Sequence, residues 1–228
     1  MQVVGLTKRY GHTWALRGID ISVAGGDAVA LLGPNGSGKS TLLRILASAA
    51  RPSSGDVRVF GWSPRDGEAI RRRVGLLSDR PPLYDELTAL ENLRFSVTMY
   101  GVRISEQALR STLEEVGLAR AATAKVRTFS QGMTQRLSVA RAILQDPDLV
   151  LLDEPYNALD VDGLRLVDQL VGKARARGKT AILATHHIAK GLAHSNRVIT
   201  LSGGRVTFDG PPADFAASQA ALEAGAWE

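Results

Sequence analysis

The sequence predicts an α/β fold built on a mainly parallel sheet, and three observations predict it. Residues 28–32, 149–152 and 181–184 are continuous apolar runs without alternation, the character of strands buried on both faces. Stretches with apolar residues at helical spacing separate these runs, and strands alternating with helices imply a parallel sheet. The first run passes directly into a glycine-rich loop and then into a helical pattern.

The elements follow in order. Residues 2–6 and 19–23 read as short strands, with a turn at Gly25-Gly26-Asp27. After the strand at 28–32 and the glycine-rich loop, residues 39–49 place Leu42, Leu43, Ile45 and Leu46 at helical spacing. Arg51-Pro52-Ser53-Ser54-Gly55 is a loop, residues 56–60 and 73–77 are strands, and Pro81-Pro82 breaks the chain. From about residue 87 to 127 the pattern is helical, carried by Leu90, Leu93, Val97 and Tyr100, then by Leu109, Leu113 and Val116. Thr88 with Glu91 forms a capping box, and Ser105 caps a further helix. Residues 130–144 form a helix stopped by Asp146-Pro147. The strand at 149–152 ends in Asp153-Glu154-Pro155, and an amphipathic helix covers 161–177. The strand at 181–184 ends in Thr185-His186-His187. A hairpin turns at Gly203-Gly204, and the Ala-rich tail from Pro211 is helical.

Composition sets bounds on function. The 228 residues suit one domain with an insertion, and 44% hydrophobic against 22% charged residues is the balance of a globular protein with a sizeable core. Without cysteine there is no disulfide framework and no thiolate zinc site. No apolar run approaches the ~18 residues that span a bilayer, and the first residues do not form a signal peptide. The expected location is therefore the cytoplasm, peripheral to a membrane only through a partner. A net charge of +5 could favour nucleic acid. The basic residues are scattered, apart from Arg71-Arg72-Arg73, and aromatics are only 5%, so no direct nucleic-acid contact is expected.

Gly33-Pro34-Asn35-Gly36-Ser37-Gly38-Lys39-Ser40 matches G-x-x-x-x-G-K-[ST] in full. Glycines let successive backbone N–H groups wrap phosphate oxygens, and the following helix directs its positive end at them. Lys39 supplies a charge to the β- and γ-phosphates, Ser40 offers a hydroxyl to Mg²⁺, and Thr41 follows in the same turn. The ligand is a nucleoside triphosphate such as ATP. Asp153, at the end of a buried strand, suits the same Mg²⁺, and Glu154 suits activation of an attacking water. Alone, that strand end could be two solvated acids; beside a phosphate loop it is a hydrolytic pair.

Phe129-Ser130-Gln131-Gly132-Met133-Thr134-Gln135-Arg136 resembles the signature of ABC ATPases, usually L-S-G-G-Q followed shortly by Q-R. Ser130, Gly132, Gln135 and Arg136 match; Phe129, Gln131 and Met133 depart from it. Asn157-Ala158-Leu159-Asp160 resembles the D-loop of that family, His186 its switch histidine, and Tyr10 the aromatic that stacks on adenine. Taken singly, Tyr10 is an ordinary aromatic and His186 a strand-end histidine. His186 is preferred to His187 because it follows Thr185.

The resemblance covers nearly the whole chain. It implies a P-loop NTPase (RecA-like) core with antiparallel β elements, at about 1–80 and 133–228, and an inserted helical subdomain at about 81–132. It implies ATP and Mg²⁺ as cofactors, and a head-to-tail homodimer in which Ser130, Gln131 and Gly132 meet the ATP of a second copy. The family places a Gln after the strand at 73–77; the aligned residue is Asp79, shorter and charged, and it is the expected metal or water contact. The chain then resembles the motor subunit of an ABC transporter, paired with a separate membrane permease. The loop at 83–93 and the Phe-Ser-x-Gly-Met signature are similar to exporter ATPases, above all those of haem export in cytochrome c maturation and of multidrug export. The alternatives are a non-transport ABC ATPase acting on nucleic acid or ribosomes, and a small-molecule kinase. No heptad run and only a single P-loop disfavour the first; the element at 129–136 has no use in the second.

Overall fold

The structure is a computed structural model that describes residues 1–78, 81–157 and 159–223. Its centre is a six-stranded sheet. The order is β5 (Val74–Leu77), β6 (Leu149–Asp153), β7 (Thr180–Thr185), β3 (Ala28–Leu32), β8 (Arg197–Ser202) and β9 (Arg205–Gly210). The first five are parallel and β9 closes the edge antiparallel. Every residue of β3, β6 and β7 is buried, as their unbroken apolar runs require.

Alternate side chains of one strand feed two cores. Leu149 and Leu151 of β6 face α1 (Lys39–Leu46) and a second sheet, together with Leu42, Leu43, Ile45 and Leu46. Val150 and Leu152 face the helices α3 (Ala89–Met99), α4 (Glu106–Glu115), α5 (Gln131–Gln145) and α6 (Val161–Ala176). The second sheet is antiparallel, in the order β2 (Thr13–Ser22), β1 (Gln2–Tyr10), β4 (Ser54–Arg58). The helix α1 is thus held between two sheets, which fixes the loop that precedes it.

Sequence expectation and structure differ in the first hairpin and at two short helices. Both strands of the first hairpin are longer than expected, and β2 begins at Thr13 rather than near Ile19. Register shifts between Val3 and Leu6, Leu6 and Thr7, and Lys8 and Arg9 interrupt the two-residue period, so alternation could not reveal the full length of the strands. The helix α2 (Gly67–Arg73) was not expected; it buries only Ile70 and ends in three arginines, which suit a helix C-terminus but carry no apolar stripe. The short α7 (Ile188–Ala193) was also unforeseen, and Gly191 is its one buried residue. The capping box at Thr88 and Glu91 and the Ser105 cap form as expected. A single apolar cluster joins the helical block to the sheet, from Leu93 and Leu113 through Leu137 to Val150 and Leu152. The boundary drawn at 132/133 falls inside α5.

Candidate functional site

Parallel strands finish at one edge, and register makes these ends level. Leu32 pairs with Thr185, and Asp153 pairs with Ala184. The glycine-rich loop, the Asp153-Glu154 pair and His186 therefore leave the sheet side by side, at the crevice where open α/β sheets bind ligands.

The loop needs its glycines. A Cβ at Gly33 would lie 2.2 Å from the Leu201 carbonyl oxygen, and one at Gly38 would lie 2.6 Å from that of Ala15. Both residues have positive φ, 150° and 109°. Pro34, Asn35 and Gly36 are exposed on the outside of the turn, Ser37 is buried, and Thr41 is half-buried in the first turn of α1. Lys39 is 4% exposed; its Nζ donates to the carbonyls of Gly33 at 2.7 Å and Pro34 at 3.2 Å. The same ammonium lies 3.5 Å from Glu154 Oε1. That separation gives Coulomb attraction without a hydrogen bond, and Oε1, buried, accepts none among the described residues. Glu154 Oε2 meets His186 Nδ1 at 3.1 Å.

Glu154 sits at φ 49°, left-handed backbone that is uncommon for a residue with a side chain. Its N–H donates to the Ala184 carbonyl at 2.9 Å, and its own carbonyl accepts from Asn157 N at 3.1 Å. The strained turn swings the carboxylate back over Lys39. Ser40 Oγ donates to Asp153 Oδ1 at 2.8 Å. Burial pushes the Asp153 carboxyl above the usual carboxylate range, the neighbouring charge of Glu154 adds to this, and the Ser40 hydroxyl opposes it. A buried carboxylate beside a hydroxyl is the donor set that Mg²⁺ takes from proteins when phosphates complete its shell. No group of three or more His, Cys, Asp or Glu among the described residues could hold a metal by itself.

Other expected residues are placed differently. Tyr10 ends β1, half exposed, with Lys8 Nζ 4.7 Å over its ring. Ser130 caps α5 by accepting from Met133 N at 3.2 Å, with Gln131 exposed and Gly132 in the first turn. No hydrogen bond or ion pair among the described residues joins Ser130, Gln131 or Gly132 to the glycine-rich loop. His187 stacks against His186, centroids 4.0 Å apart, and does not reach Glu154. Asp79 lies outside the described residues, as does Ala158 of the expected D-loop.

Two sets of contacts escaped sequence reasoning. Arg136 binds both Asp160 oxygens, at 2.5 and 2.6 Å, and so links α5 to the capping residue of α6. Arg136 and Asp160 were each part of a recognised motif, but nothing in either motif names the other as its partner. Asn92, 2% exposed, accepts from Tyr84 N and donates to the carbonyls of Tyr84, Leu87 and Thr88. It holds the loop that follows Pro82, and an Asn inside an otherwise apolar helix face was its only signal.

A sequence model described as ABC transporter matches residues 16–157, more than half of the chain. The chain belongs to the ABC transporter family. Accordingly it is an ATP-binding, ATP-hydrolysing domain with a P-loop NTPase fold. It is 36% identical over 208 residues to an uncharacterized ABC transporter ATP-binding protein of Bacillus subtilis, covering 90% of this chain and 67% of that protein. It is 35% identical over 215 residues to the Nod factor export ATP-binding protein I of Cupriavidus pinatubonensis, covering 93% and 66%. It is 33% identical over 227 residues to a phosphate import ATP-binding protein of Natronomonas pharaonis, covering 92% and 80%. The chain spans about two thirds of the length of the first two relatives. Among solved structures, an ATP-binding subunit of an ABC transporter superposes with TM-score 0.88 at 30% identity, covering 96% of this chain and 92% of that one. A dimeric ATP-binding cassette in a post-hydrolysis state with ADP and Pi superposes with TM-score 0.83 at 29% identity, covering 92% and 97%. Relatives named for export and for import are similar to nearly the same degree, so similarity carries the ATPase and not the direction. No helix among the described residues is long and apolar enough to cross a membrane.

Proposed function

We propose that this ABC ATPase is the motor subunit of an export-type transporter, coupled to a separate membrane permease and working as an ATP-bound homodimer on the cytoplasmic face of the membrane. The observation that supports it most is the convergence of Lys39, Ser40, Asp153, Glu154 and His186 at one edge of the sheet. Lys39 leaves the loop carbonyls and Glu154 for the β- and γ-phosphates. Ser40 and Asp153 would hold Mg²⁺, which when bound would supply charge neutralisation to the phosphates. Glu154 accepts the proton of the attacking water at its uncommitted Oε1, and His186 holds the opposite carboxylate oxygen in place. Tyr10, exposed, offers a face to adenine.

Ser130, Gln131 and Gly132 are at the start of α5 and free of the loop of their own chain, which supports their use on the ATP of a second copy. Export, with haem-linked or multidrug cargo as its nearest forms, rests on the resemblance of the loop at 83–93 and of the Phe129–Met133 signature. Tyr84 and Phe95, exposed and in edge-to-face contact at 4.7 Å, are an apolar patch beside that loop for the permease.

The test is Glu154→Gln, which keeps shape and removes basicity. ATP binding should persist while phosphate release falls by about 10²–10⁴-fold, and size exclusion with Mg-ATP should show an accumulated dimer. Phosphate release at the wild-type rate would remove Glu154 from the chemistry.

A further inference from the structure

The loop after Glu154 and the helix after His186 meet at a cluster that the catalytic reading does not use. Tyr156 lies two residues beyond Glu154 and is buried. Its hydroxyl donates to Asp168 Oδ1 of α6 at 3.0 Å. The same oxygen lies 3.0 Å from Nε2 of His194, the C-terminal cap of α7. Lys190, one turn earlier on α7, holds its Nζ 4.8 Å over the Tyr156 ring. Residues four apart share a helix face, so α7 grips the ring and its acceptor from one side. Burial, then the Asp168 carboxylate, push the Tyr156 phenol well above its ordinary range, which keeps it a donor.

α7 also packs closely on the sheet at Gly191. A Cβ at Gly191 would lie 2.8 Å from Leu32 Cδ2, so the helix is pressed onto β3. It begins at Ile188, two residues after His186. At the other end, Glu154 is pinned to β7 through Ala184. The 3.1 Å contact of His186 with Glu154 is therefore bounded by two short paths. One runs from Glu154 through Tyr156 to Asp168, the other from His186 along α7 through His194 to the same oxygen.

We propose that Asp168 is a positioning residue for hydrolysis: by accepting from Tyr156 and pairing with His194 at one oxygen, it sets the register of His186 against Glu154. This rests on the roles given above to Glu154 and His186. Asp168 and His194 are partly exposed, at 44% and 30%, so their attraction alone contributes little. The leverage is geometric, because a misplacement of about 1 Å in a catalytic group can cost ~10²-fold in rate.

The full chain tests this. Tyr156→Phe keeps the ring and removes only the hydroxyl; His194→Ala removes the second partner. Each should lower kcat by about 2- to 10-fold, the worth of one hydrogen bond, with the KM for ATP unchanged. The double variant should lose less than the product of the two. His194→Gln, which carries an amide N–H near the position of the imidazole Nε2, should restore most of the rate. Wild-type kcat in both single variants overturns the proposal. So does a loss that glutamine does not restore and that tracks a fall in thermal unfolding midpoint, since that is a structural role. Glu154→Gln and His186→Ala run in parallel separate the two readings. If those two hydrolyse normally, the catalytic assignment fails and this proposal with it. If they stop while Tyr156→Phe and His194→Ala turn over fully, only the positioning role is lost.

Discussion

At the scale of single residues, the site works by placing unlike charges where burial makes them costly. Asp153 shows this in a way that can be measured. Its carboxyl is raised by burial, so the folded chain holds that proton more tightly than the unfolded one. The group favours folding below its unfolded pKa, and this is lost as pH rises from there through the raised folded value. Asp153→Asn should therefore raise the thermal unfolding midpoint near pH 7 in the absence of nucleotide and metal, with the difference shrinking toward about pH 4. Mg-ATP should reverse the order, because the variant gives up an oxygen for the ion. A less stable variant at neutral pH without ligand would contradict the burial argument. Glu154 carries a second cost in its left-handed backbone. The side chains of the P-loop were legible in sequence because their chemistry is local: one loop, one strand before it and one helix after. The Arg136–Asp160 pair and the Asp168 cluster were not, because their partners lie on different elements.

At the scale of elements, the loop between β5 and α3 matters most. Its residues 84–88 carry several backbone groups satisfied by one side chain, Asn92, which is buried. Asn92→Ala should cost about 2–3 kcal/mol, since it leaves those groups unpaired. Chemical denaturation measures the loss, and limited proteolysis should show new cleavage within residues 81–88. Undiminished stability would mean that the capping box at Thr88 suffices to order the segment. The helices α2 and α7 were invisible to periodicity, since each buries one residue. The helices α3 to α6 were visible because their apolar stripes fill one cluster.

At the scale of the whole molecule, the P-loop and the residues at the start of α5 occupy separate elements, and the argument for a dimer rests there. Ser130→Arg should keep ATP binding and stop hydrolysis, apart from a cap loss of ~1 kcal/mol. Mixed with a Lys39→Ala chain, it should recover part of the activity, because one composite site per dimer then has both an intact P-loop and an intact signature. No recovery, with both chains folded, would argue against head-to-tail sharing. The permease surface is tested separately. Tyr84→Glu puts a charge on the exposed aromatic pair with Phe95. It should abolish stimulation by the co-expressed permease and leave basal turnover within about 2-fold. Equal loss of both would show that the pair braces the helical block.

Order along the chain was enough for the strand–loop–helix unit, the buried strands and the carboxylate pair. Each depends on neighbours a few residues away, where propensity and spacing act directly. It was also enough to place Ser130 at a helix start, since a capping serine declares itself by the residues after it. Three-dimensional packing was needed for the rest. The level ends of β3, β6 and β7 come from register across strands that lie far apart in the chain, β3 more than a hundred residues before the other two, and only that register brings Lys39, Glu154 and His186 within reach of one another. Bulges removed the alternation that would have revealed the full length of the first hairpin. Single side chains that join separate elements, Arg136 and Asp168, leave no periodic trace, because a hydrogen bond depends on where two segments cross and not on what stands beside either residue.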